Sequence, residues 1–324
     1  MTVDAAYLHY AHRRAAMDHD RYGRDNVFAR EPVRWPGGAR VALWLVPLVE
    51  FFPLDMPLNV APGGMTRPYP DYWNYTLRDY GNRVGIYRIL RALDERGFRA
   101  SVAFNSRAAA RDRFLVEQVT RRGWELLAMG VDMGRIHQTG VDRATEAAWV
   151  EESVGTLRRI AGTPVAGWLS PAMSESFDTP DLVAAAGIEY LCDWMNDDLP
   201  YWFSVRPPSG PTRVAAMPYG HEISDLKLIA DYGHTALQYA EQVIDYFDFL
   251  YREAAEHGGR ILSLPMHPWL IGVPHRIGAL ERILDHVAGK AAVWSATGAE
   301  ILAAWRGQAR ERHDSTCTDH PSRG

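Results

Sequence analysis

The chain has 324 residues, 47% hydrophobic and 23% charged, with a formal net charge of −5. That supports a sizeable packed core, and the mildly acidic balance lacks the basic stripe of a nucleic-acid-binding protein. The polar start MTVDAAYLHYAHRRAAMDHD does not read as a secretion signal, and no run approaches the ~20 apolar residues of a bilayer span, so a cytoplasmic protein with no membrane partner is expected.

Residues 1–38 are Arg-rich and weakly periodic, and read as an arm that wraps the domain or a neighbouring subunit. The run ARVALWLVPLVEF (39–51) reads as a buried strand. A Pro- and Gly-rich stretch from Phe52 to about Asp79 reads as a long, functional loop. Residues 84–97 have helical spacing and end at Gly97, and 98–105 read as the next strand. A helix over 111–123 and a strand over 124–130 follow. Residues 142–161 form an amphipathic helix with early acidic residues.

Beyond it come a strand (165–171), a helix (179–187) with Thr179 as N-cap and Pro180 at its first position, and strands over 188–194 and 212–220. The pattern closes with a helix (236–257), a strand (260–268), a helix (276–289), a strand (290–297) and a short helix (298–306). Residues 308–324 read as a disordered polar tail, which leaves 39–307 as the catalytic domain. Cys192 and Cys317 suggest neither a disulfide framework nor a zinc site, and Cys192 reads as a small buried residue.

This alternation predicts an α/β fold: an irregular (β/α) barrel with about seven strands, or else a doubly wound open sheet. No GxGxxG follows the first strand, so a dinucleotide site has no support. In either architecture the active site lies at the carboxyl ends of the strands.

Those ends carry Glu50, Asn105, Met129, Ser170, Asp193, Tyr219 and His267, with Trp168, Trp194 and Trp269 nearby. A carboxylate and a histidine are the minimal kit for acid–base hydrolysis, and Asn105 could hold or polarise a carbonyl. Each has a structural alternative: a cap or ion pair for Glu50, a backbone acceptor for Asp193, a core histidine for His267. A charge that ends an apolar strand is expensive, which favours function for Glu50 and His267. There is no HxxxH or HxH pair and no GxSxG elbow; a metal held by Glu50, Asp193 and His267 is less favoured than a metal-free site.

Three blocks carry a resemblance: RDYGNRVGIYRILRALDERGFRASVAFN (78–105), GWLSPAMSESFDTPDLVAAAGIEYLCDWMNDDLPY (167–201) and LPMHPWLIGVPHR (264–276). They resemble the allantoinase-like, cyclic-imide-hydrolase-like branch of the polysaccharide-deacetylase (NodB-homology) superfamily. The resemblance implies an irregular (β/α) barrel with about seven strands. It also implies a hydrolase that opens a small cyclic amide, imide or ureide at a C–N bond other than a peptide bond. Sugar deacetylases of the superfamily use a metal held by an aspartate and two histidines. Here the corresponding motifs read LVEFF, with only Glu50, and AMGVDMGRIH, with Met129 where a histidine is usual. The expectation is therefore no metal and no cofactor.

By residue type, strand-end position and this resemblance, Glu50 deprotonates or positions water, His267 protonates the leaving nitrogen or holds the oxyanion, and Asp193 orients His267 or binds a ring N–H. Asn105 and Trp168 hold the ring, Met129, Trp194 and Trp269 line the pocket, and Arg83 or His275 contacts a polar substituent. Two rival functions are a metal-dependent carbohydrate N-deacetylase and a non-catalytic small-molecule-binding protein. The arm and the aromatic loops predict a homo-oligomer.

Overall fold

The computed structural model describes residues 10–12, 18–23, 26, 30–55 and 70–317, with side chains described as far as Gln308. Its strands are β1 (Val41–Val49), β2 (Ser101–Phe104), β3 (Glu125–Ala128), β4 (Gly167–Trp168), β5 (Tyr190–Leu191), β6 (Tyr201–Val205), β7 (Thr212–Ala216), β8 (Arg260–Met266) and β9 (Val293–Ser295). They form one sheet in the order β6-β7-β5-β4-β3-β2-β1-β8, with β9 also on β1. Every pair is parallel except β6 with β7. The sheet curls into a half-barrel with helices outside, the expected barrel with a mixed edge and more strands than the expected seven.

The alternation of β1 sorts its side chains into two layers. Ala42, Trp44, Val46 and Leu48 face the inside of the barrel with Leu127, Cys192, Met217 and Ile261. Val41, Leu43, Leu45 and Val49 face the outer helices through Ile86, Leu90, Val154 and Leu280. Val33 and Trp35 of the arm join the inner layer, and the Trp35 indole N–H donates to the Arg260 carbonyl at 2.8 Å.

The helices are α1 (Tyr72–Tyr80), α2 (Ile86–Asp94), α3 (Ser106–Arg111), α4 (Arg113–Arg121), α5 (Arg143–Ala161), α6 (Thr179–Ala185), α7 (Ala236–His257), α8 (Ile277–Ala288) and α9 (Gly298–Cys317). A π-helical turn, Gly81–Gly85, joins α1 to α2. Caps fix the ends: the Asp142 carboxylate accepts from the Thr145 N–H at 2.9 Å, and Thr235 and Gln238 form a reciprocal capping box.

Four expectations need correction. The stretch read as loop to Asp79 is helical over Tyr72–Tyr80, and residues 56–69 of it lie outside the described residues. The last helix runs to Cys317, through ten residues of the expected disordered tail, and residues 318–324 lie outside the described residues. Thr179 is the first helical residue of α6 and not its cap; its hydroxyl turns inward to Glu146. The edge strand β6 was not anticipated.

Described parts of the arm fold onto their own domain. Arg21 is buried and grips Asp181 through both terminal guanidinium nitrogens, at 2.6 and 3.2 Å, while Tyr22 lies edge-on to Trp194.

Candidate active site

The β1–β8 ladder, with Pro47 opposite Met266, brings the next residues of both strands to one end of the barrel. Glu50 and His267 are both buried there. Glu50 Oε2 accepts the Trp269 indole N–H at 2.9 Å. Its Oε1 has no hydrogen-bond partner among the described residues. His267 is fixed twice by Asp225: Nδ1 lies 2.7 Å from one carboxylate oxygen, and the main-chain N–H donates to the other at 2.8 Å. A carboxylate opposite Nδ1 makes that nitrogen the donor and directs Nε2 outward. Burial by itself lowers the pKa of His267, but the charge and hydrogen bond of Asp225, joined by Glu50 and opposed by Arg78, raise it above its ordinary value.

Arg78, from α1, is also buried. Its guanidinium carbon lies 4.1 Å from the Trp269 ring centre and 4.4 Å from that of Phe52. One terminal nitrogen donates to Asn74, and Nε is buried with no partner. Burial lowers its pKa, against the charges of Glu50 and Asp71. Two glycines of the π-turn allow this packing: a Cβ on Gly81 would fall 2.5 Å from the Trp269 nitrogen, and one on Gly85 2.1 Å from the Pro268 carbonyl oxygen.

Across the barrel end, β4 and β5 deliver a second carboxylate cluster. Ser170 donates its N–H to Asp193 at 2.9 Å and its hydroxyl at 2.8 Å, while accepting from the Trp168 indole at 2.8 Å. Beside Asp193 lies the carboxyl of Glu175, whose Oε2 accepts from the Trp194 indole at 2.9 Å. Its Oε1 is buried and meets no N–H or hydroxyl donor. Burial pushes Asp193 up to about 6, against the Ser170 bonds, the Glu175 hydrogen bond and the His137 charge. Burial, then the charge of Asp193, drives Glu175 well above the usual carboxylate range. His137 is buried nearby, with Nδ1 at 2.9 Å from Glu146 and Nε2 without a partner.

Tyr219, just beyond β7, is buried. Burial drives its hydroxyl pKa well up, helped by Cys192 and by the charges of Glu50, Asp225 and Asp193. Both groups of carboxylates therefore act on one hydroxyl.

The expected site residues divide accordingly. Glu50, His267 and Trp269 come together on one side, and Asp193 and Trp194 on the other. Asp225, and not Asp193, orients His267. Asn105 is fully buried and turned to backbone: Oδ1 accepts the Phe51 N–H at 2.7 Å and Nδ2 donates to the Met129 carbonyl, which clamps the ends of β1, β2 and β3 and holds the amide within the fold. Trp168 is fully buried in the sheet–helix layer, and Met129 is buried in the inner layer. Arg83 is 75% exposed, 3.8 Å from Asp79, so Arg78 occupies the place expected of an arginine in the site. His275 is exposed after β8.

Reading the sequence missed Arg78, Asp225, Glu175 and the contact made by His137. Arg78 and Glu175 each had a signal, since Arg78 opens the first motif block and Glu175 shares a block with Asp193. A divalent metal does not fit these residues. Among the described residues no group of three or more His, Cys, Asp or Glu side chains could hold one, and Met129 at the end of β3 offers only a buried thioether. None of the described helices is long and apolar enough to cross a membrane.

No protein-family model matches the chain. A Schizosaccharomyces pombe protein named after the polysaccharide deacetylases is 26% identical over 282 residues, covering 83% of this chain and 86% of that one. The solved structure of PuuE allantoinase superposes with a TM-score of 0.77 at 26% identity, covering 88% of this chain and 98% of that one. A Pseudomonas aeruginosa PAO1 structure, also named for polysaccharide deacetylase, gives 0.76 at 26% identity, covering 89% and 99%. With the curled sheet, the strand-end carboxylates and the three motif blocks, these likenesses make the chain similar over most of its length to proteins named for polysaccharide deacetylase and to an allantoinase.

Proposed function

We propose that this protein is a hydrolase that opens the ring C–N bond of a small cyclic amide, imide or ureide, with its own side chains as acid and base and without a metal. The names of its relatives support hydrolysis. The observation that carries the finer reading is the pairing of Glu50 with the His267–Asp225 dyad at the adjoining ends of β1 and β8.

Glu50 Oε1 takes a proton from water, whose oxygen attacks the ring carbonyl carbon. The carbonyl electron pair moves onto oxygen, where the Arg78 guanidinium offsets the charge. The intermediate then collapses and the ring C–N bond breaks. His267 Nε2–H gives its proton to the departing nitrogen, and Asp225 offsets the imidazolium charge throughout. The proton held by Glu50 returns to His267 through solvent. The sum is one water added across one C–N bond, giving an acid and, for an amide, imide or ureide ring respectively, an amine, amide or urea nitrogen. An imide or ureide nitrogen leaves more readily than a simple amide nitrogen, which lessens the need for a Lewis acid.

Glu50→Gln and His267→Ala are each expected to lower kcat on a ring substrate by at least about a hundredfold. Wild-type turnover in either variant would sink the mechanism. A cytoplasmic homo-oligomer remains part of the proposal, and mass measurement in solution tests the assembly.

A further inference from the structure

We propose that Glu175 is a positioning residue that keeps a proton at neutral pH, and so holds Asp193 as a singly charged acceptor for the N–H of a neutral ring. This deepens the ring-hydrolase reading above and rests on it.

Two facing carboxyls cannot both ionise at low cost, so one of them holds a proton. The donors decide which one. Asp193 receives the Ser170 N–H and hydroxyl, so its charge is compensated. Glu175 receives only the Trp194 indole, and its other oxygen is buried without any N–H or hydroxyl donor. An acid O–H on that oxygen, donated to Asp193, resolves the orphan. The surrounding charges agree: Arg21 from the arm favours the ionised form of Glu175, but burial and Asp193 outweigh it, and His137 supports the charge on Asp193. Tyr201 of β6 and Tyr219 both have raised pKa values and stay neutral beside the pair.

The result is one negative charge in place of two. Asp193 is half-buried as a residue, and its carboxylate is the acceptor this proposal assigns to a ring N–H. A second charge there would repel the polarised carbonyls of an imide or ureide. The pair therefore selects a neutral ring that carries a free N–H.

The test uses the whole protein and two probes, succinimide and N-methylsuccinimide, which differ only at the ring nitrogen. Calorimetry is expected to show succinimide bound at least about tenfold more tightly, with the preference lost in Asp193→Asn and in Glu175→Ala and kept in Glu175→Gln. Infrared spectra at pH 7 are expected to show a protonated carboxylic C=O band that disappears in Glu175→Gln. In the wild-type protein the band should fade at alkaline pH, as succinimide affinity falls. Equal binding of the two probes, absence of the band at pH 7, or its persistence in Glu175→Gln would overturn the proposal. Selective binding and the expected band without turnover of any ring would support it, and would count against the hydrolase reading alone.

Discussion

The Trp269 indole N–H and the Glu50 carboxylate meet at 2.9 Å across 219 positions of sequence, and the same indole ring lies 4.1 Å from the guanidinium carbon of Arg78. One side chain thus fixes an oxygen of the proposed base and carries the cation beside it. Trp269→Phe keeps a ring under Arg78 and removes the N–H. A hydrogen bond to a charged group contributes about 1.5–3 kcal/mol, so kcat is expected to fall about 10- to 100-fold with little change in thermal midpoint. Steady-state kinetics beside a thermal melt checks both halves.

The His267–Asp225 pair makes a pH prediction. The folded pKa of His267 lies above its ordinary value of 6.5, so the proton donor is fully charged below that value and is lost as pH rises through the folded pKa. Activity should therefore fall on the alkaline side, and Asp225→Asn should move that limb to lower pH and lower kcat at least about a hundredfold. The stability this pair contributes follows the same sign: it is complete below 6.5 and disappears as pH rises through the folded pKa. Urea unfolding of wild type and Asp225→Asn across that range measures it.

Asn105 should behave as a fold residue. Asn105→Ala strands the half-buried Phe51 N–H and the buried Met129 carbonyl, and is expected to cost about 2–4 kcal/mol in urea unfolding. The protein that still folds should keep the KM of wild type. A large rise in KM without loss of stability would return the amide to the substrate.

The two sides of the site differ in how much of them a sequence can reveal. Glu50 and His267 were visible because each is a polar residue that ends an apolar run. Asn105 and Trp168 occupy equally suggestive positions, but position cannot tell whether a polar group is already spent within the fold, as both of theirs are. Helix α1 was invisible for the opposite reason. Its buried residues are Asn74 and Arg78, so it turns a polar face inward and shows no apolar stripe. Asp225 lies neither at a strand end nor in a motif block, and becomes recognisable only when His267 is placed against it.

Gly220 packs against β8 where no ladder joins the described residues of β7 and β8. A Cβ there would fall 2.0 Å from the Ser263 carbonyl oxygen. Gly220→Ala is expected to push the two segments apart and cost about 1–3 kcal/mol. It should also lower turnover, because Tyr219 precedes the glycine and β8 carries His267. A thermal melt and a kcat measurement on the same sample test the coupling.

The central claim is metal-free ring opening, and turnover after chelation tests it most directly. Protein stripped with chelator would be offered allantoin, hydantoin, dihydrouracil, succinimide and maleimide, with an acetylated chito-oligosaccharide as control. Ring opening of at least one cyclic substrate, undiminished by chelation, is the predicted result. Activity confined to the acetylated sugar and restored by zinc would contradict it.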